Sequence, residues 1–453
     1  MRENTDGYLK AINDFYEDGS LTTTEVTDQF KQDGKALDAF NGNLTFTEPL
    51  SKSMSLGLNY RIGLAKNHSE LKSYNRDGNG SYTNLDSEYS NDFIVNQFSN
   101  QAGATFTYQK GKRWFRLGGK FTNVELKQTN RYTTQRFNRN FVNVNPQFSF
   151  RYSFSAQESI MVNYNGATIQ PSIEQIQPIK VNTDPLNIIV GNANLHPAYA
   201  QELLFSYNVY QSIPGFSLGI ISSYNMTTNP IVSSVRTDAF GRMVYQIVNI
   251  HQSASSFVFR GDIGKQLKAI SSHLSGSFLF NATRDLGLIN STINERYNNT
   301  LTSSVNFSKS KTKKYDLMVG FGPRFFTGSS SLQSQLTNNG HGYDGYLIIN
   351  LYLPHKFEIR TNSTFNYQSA TVAFDVPYRA WIIDGAIARK FLKDESLKLS
   401  VSIKDLLNQN IGFNRRTSGM MITQTEYATI SRYLMCTLSW DFSRFGKSLM
   451  PQN

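Results

Sequence analysis

The connections between strand-like segments alternate in length along this chain. From Ala39 to the C-terminus about seventeen segments read as strands, and the gaps between them are short and long in turn. Long loops kept at one end are typical of a transmembrane β-barrel, whose short turns face the periplasm. The pattern therefore predicts an all-β fold, a transmembrane antiparallel up-and-down β-barrel. The short gaps are 48–51, 110–112, 212–215, 353–355 and 392–395, and the long gaps are 66–94, 129–138, 168–197, 226–241, 285–295, 328–341, 369–377 and 409–424.

The segments place apolar and polar residues on opposite faces. Over 54–64, Leu56, Leu58 and Tyr60 alternate with polar residues and glycines, the period of a strand. A soluble sheet with one solvated face gives the same alternation. Length favours the membrane, because many segments exceed the usual run of about five or six residues, and a tilted membrane strand needs about nine to eleven.

Arginines on the polar faces also favour a membrane barrel. Facing lipid at mid-membrane, an arginine costs about 2–4 kcal/mol, whereas facing a wet lumen it costs little. We therefore expect these side chains to face the lumen. They are Arg61, Arg151, Arg324 and Arg360.

Composition excludes several classes of protein. No stretch approaches the eighteen continuous apolar residues of a helical membrane span, and Cys436, the single cysteine, excludes an internal disulfide framework. The net charge of +11 suits anionic partners such as lipopolysaccharide or nucleic acid. Because Lys and Arg are mostly scattered singly through the strands and turns, and no basic patch or motif locates a binding surface, we expect no nucleic-acid binding.

The ends of the chain read differently from its middle. Residues 1–38 mix charged residues with Thr and Gly and are predicted to form an extracellular loop or irregular extension, in which a short strand over 22–30 is possible. Residues 39–445 are predicted to be barrel, and 446–453 a C-terminal tail. The N-terminus lacks the apolar core of a signal peptide, so export to an outer membrane predicts that the true N-terminus lies upstream.

The odd number of predicted strands indicates that the barrel is incomplete. An odd number of strands begins outside and ends inside, whereas bacterial single-chain barrels have even counts. An open sheet edge cannot stand in lipid, because its unpaired backbone groups find no water there. We therefore expect an odd number of strands to be missing upstream.

No constellation of residues predicts catalysis or a bound cofactor. The six histidines share no ligand spacing, whereas a catalytic zinc site needs several convergent ligands. No Gly-x-Ser-x-Gly elbow or phosphate-binding loop occurs, and the adjacent carboxylates of Asp394 and Glu395 lie in a predicted turn. The sequence predicts neither an enzyme nor a metal site.

The long gap at 168–197 is the most patterned segment of the chain. Prolines fix φ and remove hydrogen-bond donors, so a loop punctuated by them can hold a defined shape above the barrel. Its polar side chains could bind a ligand, or they could satisfy the loop's own backbone through turns and caps. The candidate ligand-facing residues are Glu174, Gln175, Asp184, Asn192 and Asn194, and the residues that shape the loop are Pro171, Ser172, Pro178, Pro185, Gly191 and Pro197.

This loop resembles a signature of a known family. The segments 170–178, 183–186 and 191–197 are similar to the barrel domain of Bacteroidetes-type TonB-dependent receptors, in the outer membrane protein beta-barrel branch. Weaker likenesses lie at 46–51, 405–410 and 432–442, and the resemblance extends from about residue 40 to 445.

The resemblance implies a barrel of about 22 strands plugged by an N-terminal domain in the outer membrane of a Gram-negative bacterium. Such a receptor binds a scarce ligand outside and imports it with energy from the TonB complex of the inner membrane. The plug, the coupling segment and the early strands are not in this sequence, which puts independent transport in doubt. The alternatives are a nonspecific porin or structural barrel and an outer-membrane enzyme with a lumenal site. The ligand, whether glycan, siderophore or peptide, is not fixed by the sequence.

Overall fold

The computed structural model describes residues 2–18, 20–177, 180–184, 186–213, 215–238, 242–335, 337–372, 374–418 and 421–441. Nearly all of them lie in antiparallel strands, and no helix among them is long and apolar enough to cross a membrane. The one α-helix within these ranges is α1, Ile173–Ile176. The strands are β1 Arg2–Glu17, β2 Ser20–Ser51, β3 Met54–Arg76, β4 Tyr82–Leu85, β5 Asn91–Lys110, β6 Arg113–Asn130, β7 Arg136–Ser155, β8 Glu158–Ile169, β9 Lys180–Asp184, β10 Asn187–Val190, β11 Ala198–Gln211, β12 Phe216–Thr228, β13 Ile231–Thr237, β14 Met243–Asn249, β15 Ala254–Leu267, β16 Ser272–Ile289, β17 Thr292–Lys311, β18 Tyr315–Ser330, β19 Gly340–Leu353, β20 Phe357–Gln368, β21 Tyr378–Phe391, β22 Leu397–Lys404, β23 Gly412–Ser418, β24 Met421–Tyr427 and β25 Tyr433–Trp440.

One up-and-down antiparallel sheet contains most of these strands. Seven of the 25 described strands, namely β4, β9, β10, β13, β14, β23 and β24, lie outside its main path. The other eighteen, which we call the wall, pair in chain order from β1 to β25. Among the described residues, these two strands end the sheet, because each pairs on one side only. The predicted fold class, an antiparallel up-and-down sheet of the β-barrel type, is confirmed.

Short connections lie at one end of the sheet and long connections at the other, as the sequence predicts. Two-residue links join β2 to β3 and β5 to β6, and the second of them holds Gly111 at φ +57°, a conformation that glycine adopts without strain. At the opposite end lie the long connections, such as those from β8 to β11 and from β12 to β15.

The prediction of an irregular extension over 1–38 is wrong. Residues 2–17 form β1, which pairs with β2 from Arg2↔Ala36 to Glu17↔Ser20, and the predicted boundary at 38/39 falls inside β2. These strand segments are rich in charged side chains because much of their surface is exposed. Composition alone therefore predicts a loop. With β1 included, the described wall has an even number of strands, and the parity argument for an odd number of missing strands no longer follows.

The predicted long loop at 285–295 is also wrong. Strands β16 and β17 run through it and join at a two-residue turn, Asn290 and Ser291, which both have positive φ. Two positive φ values are the signature of the type I′ hairpin turn, in which Asn is favoured. The polar residues of this segment belong to a strand extension. The predicted tail at 446–453 lies outside the described residues.

The two faces of the wall differ as the alternation predicts. Large apolar side chains such as Leu44, Leu58 and Val305 are 45–70% exposed on one face, as a lipid-facing surface requires. The opposite face carries charge. There Arg360 pairs with Glu358 at 2.9 Å, and Arg324 lies 4.0 Å from Asp344.

Candidate functional site at the long-loop end

Four short strands form a second layer at the long-loop end, which we call the cap sheet: β13, β14, β10 and β9. Hairpin β13–β14 is antiparallel, β10 runs parallel to β14, and β9 is antiparallel to β10. Its segments are rich in Ile and Val, which favour strands. Strand β13 also pairs with β16 through Ser234↔Leu288 and Val235↔Ile289. This part of β16 extends past the residues that pair with β15.

The other end of the cap sheet contacts strand β2 and the loop after β4. Asn182 of β9 is 4% exposed, donates to Gln29 Oε1 at 3.2 Å and accepts a hydrogen bond from Lys31. Lys180 pairs with Glu88 in the loop after β4. Between β14 and its hairpin partner, Arg242 lies 3.3 Å from Glu25. The cap sheet is therefore attached to two distant parts of the wall, β16 and β2.

Helix α1 and the segment after β10 pack on the inner wall. Ile176 and Leu195 are 1% and 2% exposed and form one apolar cluster with wall residues from β5, β6 and β7. Burial of this kind contributes about 25 cal/mol per Å² of apolar surface removed from water. The wall members of the cluster are Val95, Val124, Leu126 and Phe141.

The wall beside this cluster holds polar groups without partners. Gln128, which pairs in register with Val95, is 1% exposed, and neither polar atom of its amide has a hydrogen-bond partner among the described residues. The same holds for both Nη atoms of Arg139, whose strand position is opposite Leu126. Unmet hydrogen bonds of buried groups cost about 1–3 kcal/mol each, so this wall offers donors to anything that reaches it.

Ser172 and Gln175 start α1 with a capping box. Gln175 N donates to Ser172 Oγ at 3.3 Å, and Ser172 N donates to Gln175 Oε1 at 2.9 Å, which satisfies two free donors of the first turn. Pro171 before them is buried. Glu174 is exposed and lines a cavity of about 160 Å³ together with Lys35 of β2.

The remaining predicted polar residues mostly bind nearby backbone. Asp184 accepts from Leu186 N at 3.0 Å and from Asn187 Nδ2 at 2.7 Å. Asn192 donates to Ile247 O at 3.0 Å and accepts from the backbone N of Asn194, which is exposed. A role for these side chains in ligand binding stays a prediction.

Gly191 lies where the chain passes beside the end of α1. A Cβ at this position would meet Gln177 O at 1.6 Å, so only glycine fits. Pro197 accepts from Asn229 Nδ2 at 3.1 Å through its carbonyl. Pro178 and Pro185 lie outside the described residues.

Two residues of this site have no distinctive sequence signal. Asn249 binds both backbone polar groups of His196, and Asn182 links β9 to β2. Each is a single Asn outside any recognisable motif, and the partners of Asn249 and Asn182 lie 53 and 153 residues away in the chain, respectively.

Cavities lie on both sides of hairpin β13–β14. One, of about 550 Å³, is mostly apolar and reaches β16 and β17. The other, of about 420 Å³, is lined by charged residues that include Lys180, Arg236 and Arg242. Within the described part of the chain, no three His, Cys, Asp or Glu side chains converge as metal ligands.

Comparison with known families gives one extensive match. The sequence model of the outer membrane protein beta-barrel family matches residues 2–440, which includes the strands of the N-terminal segment. No curated protein matches the chain.

Several solved structures are similar to the chain. The siderophore receptor PiuA from Acinetobacter baumannii shares 8% identity at a TM-score of 0.37, with 91% of this chain and 65% of that chain covered. The copper transporter OprC shares 10% identity at a TM-score of 0.41, with 97% and 78% covered. The hemophore receptor HasR from Serratia marcescens shares 7% at 0.34, with 97% and 75% covered. The chain thus spans 65% of the length of PiuA.

Proposed function

Because the chain belongs to the outer membrane protein beta-barrel family, a family of the outer membrane, we propose that it forms the barrel of a TonB-dependent receptor. Such a receptor binds a scarce ligand outside the cell and imports it into the periplasm. The observation that carries the proposal is the cap sheet, which runs from β16 to contacts with β2 at the long-loop end.

The cap sheet favours a gated receptor over a nonspecific porin. A porin keeps an aqueous channel, whereas the cap sheet and α1 here occupy the long-loop end and pack on the inner wall. The attachment to β2 and the loop after β4 is polar. The ion pair of Lys180 and Glu88 is about half exposed, and exposed pairs contribute about 0–1 kcal/mol. This ion pair can therefore break at small cost.

The proposal assigns partners and residues as well. The barrel would surround a plug and receive energy from the TonB complex, and its outer rim would contact lipopolysaccharide. Residues 39–445, extended by the strands of 2–38, form the barrel in this proposal. Glu174 and Asn194 are exposed at the long-loop end and remain candidates to touch the ligand, together with Gln175, Asp184 and Asn192.

The test is to lock the cap sheet in living cells. Lys180 and Glu88 are replaced by cysteine in a Cys436→Ser background, because Cys436 is the single natural cysteine, and a cleavable bismaleimide joins them. The nutrient is first identified as the iron, carbon or peptide source on which a deletion strain grows poorly. We expect the cross-link to abolish uptake of that nutrient and a reductant to restore it.

Controls separate the receptor from the porin. Each single-cysteine variant receives the same reagent and should import normally. A protonophore should stop uptake by the wild type, since energy coupling requires the membrane gradient. Uptake that survives both the cross-link and the protonophore would identify a porin and overturn the proposal.

A further inference from the structure

The larger cavity beside the cap sheet has the size and lining of a small-molecule site. Its volume is about 550 Å³, within the usual range of about 300–1,000 Å³ for ligand pockets. Hairpin β13–β14 forms one side, and β16 and β17 form another. Most of the lining is apolar, including Ile231, Val235, Tyr245, Leu286 and Ile289.

Two opposite charges line the same cavity. Asp285 of β16 and Arg296 of β17 are direct partners in the strand register, where side chains normally lie close enough to interact. Within the described residues, neither forms an ion pair. Their neighbours differ, because Arg284 pairs with Glu295 at 3.0 Å, and Tyr297 donates to the same carboxylate at 2.7 Å.

We propose that this cavity binds a small amphipathic zwitterion, of which an apolar α-amino acid is the simplest example. The inference deepens the proposed function and rests on it for the fate of the ligand. The ammonium group would donate to the Asp285 carboxylate, and the carboxylate would accept from the Arg296 guanidinium, since hydrogen bonds between charged groups are the strong ones. The apolar body would lie against Ile231, Tyr245 and Leu286.

The apolar lining argues against a sugar. Pockets obtain their specificity from a few well-placed polar groups within an apolar surface, and a polyhydroxyl ligand would leave many of its own groups without partners here. Asn294 also lines the cavity, but its Oδ1 already accepts from Ser330 Oγ at 2.7 Å. Asp285 and Arg296 are thus the charged groups left to hold a ligand.

The test measures binding of L-4-phenylphenylalanine to the full chain in nanodiscs by calorimetry. Its N-acetyl derivative lacks the cation, and its methyl ester lacks the anion. We expect each derivative to bind about tenfold to a hundredfold more weakly than the parent, the range for losing one charged hydrogen bond. Asp285→Asn should weaken the parent similarly and leave the N-acetyl derivative unchanged. Arg296→Gln should do the same with respect to the ester.

A matched pair of tryptophan variants tests the location. Val235→Trp places an indole in this cavity, whereas Arg236→Trp places it in the cavity on the other side of the hairpin. We expect binding to be lost in the first and retained in the second, which also reports that the cap sheet still folds. Equal binding by both variants, or no binding of the parent compound by the wild type, would overturn the inference.

Uptake in cells distinguishes this site from the proposed function. Binding without energy-dependent uptake of the labelled compound would support the site and count against the receptor. Energy-dependent uptake of another nutrient, without binding of the zwitterion, would leave the receptor standing and remove the site.

Discussion

Asn249 binds both backbone polar groups of His196. Asn249 Nδ2 donates to His196 O at 3.0 Å, and His196 N donates to Asn249 Oδ1 at 2.8 Å. The same Nδ2 also donates to Asn229 O at 3.0 Å. One side-chain amide thus supplies three hydrogen bonds to the backbone of two separate segments. It fastens the end of the patterned loop to the base of hairpin β13–β14.

We expect Asn249→Ala to loosen both segments. The substitution leaves the N–H and C=O of His196 and the carbonyl of Asn229 without this partner, and each lost hydrogen bond is worth about 0.5–1.5 kcal/mol. Hydrogen exchange should accelerate at 192–198 and 229–231, while the wall strands keep their protection. Asn249→Asp retains the acceptor for His196 N, so we expect an intermediate effect. Unchanged exchange in Asn249→Ala would show that the contact does not hold the loop.

Gly191→Ala should displace the loop from α1. The new Cβ would fall 1.6 Å from Gln177 O, and this contact is with backbone, so the chain itself must move. We expect protease cleavage within 171–197 to rise, with little change in the global unfolding midpoint. Gly78→Ala is the matched control, because a Cβ there meets nothing within 4 Å. The same protease sensitivity in both variants would contradict the close approach.

Ile176→Ala should detach α1 from the wall. Ile176 is 1% exposed in the cluster with Val95 and Leu126, and truncating a buried Ile typically costs about 2–5 kcal/mol. The substitution weakens the packing of α1 on the wall and leaves the wall strands intact. Hydrogen exchange at 171–177 should therefore accelerate, and single-channel conductance should increase. Ile189→Ala, at a residue that is 52% exposed on β10, should change neither. Wild-type conductance in Ile176→Ala would mean that α1 does not obstruct the lumen.

The wall could be predicted from the sequence, because its signal is local. Alternation such as Leu56, Leu58 and Tyr60 reports a strand with two different faces wherever one face meets lipid. The signal fails where both faces of a strand carry polar or charged side chains. The described strand residues within 2–38 and 285–295 are rich in charged or polar side chains, so their composition is that of loops.

The cap sheet could not be predicted, because its pairings are distant in the chain. Ser234 pairs with Leu288, and Asn187 pairs with Met243, and short segments interrupted by prolines give no period that would match them. The residue types of the site were easier to predict than their partners. Asn192 was expected to form hydrogen bonds, but its partner Ile247 O follows only from the fold.

Acid should loosen the turn that follows β3. The hydrogen bond from Ser81 N to the carboxylate, at 2.8 Å, and that from Thr83 Oγ1 lower the pKa of Asp77 below its usual value of 3.8. A carboxyl whose pKa falls on folding stabilises the folded turn above its unfolded pKa, and the effect is lost as pH drops through the folded pKa. Protection of the Ser81 amide should thus be constant from about pH 7 to about pH 5 and decline below about pH 4. Asp77→Asn should show no such decline, and a decline in that variant would assign the effect to another group.

Glu358→Gln should destabilise the short-turn end of the last strands. Glu358 is 6% exposed and lies among three cations, with Lys398 at 2.8 Å, Arg360 at 2.9 Å and Lys390 at 3.1 Å. Removing one partner of a buried pair costs about 3–5 kcal/mol. Since the cations are 27–52% exposed, solvent screening reduces this cost, and we expect about 1–3 kcal/mol in urea unfolding.

The neighbouring pair of Asp384 and Lys404 provides the control for this prediction. It joins one carboxylate to one cation at 2.6 Å, and the Asp384 side chain is 25% exposed. Asp384→Asn therefore leaves only Lys404, a better solvated cation, without its partner, and should lower the free energy of unfolding by less. The difference between the two variants should shrink at high salt, because screening weakens repulsion among the cations around position 358. Lys390 keeps Glu395 at 3.2 Å, so adding Lys398→Met should recover most of the loss. No recovery in that double variant would show that the lost stability comes from packing and not from charge.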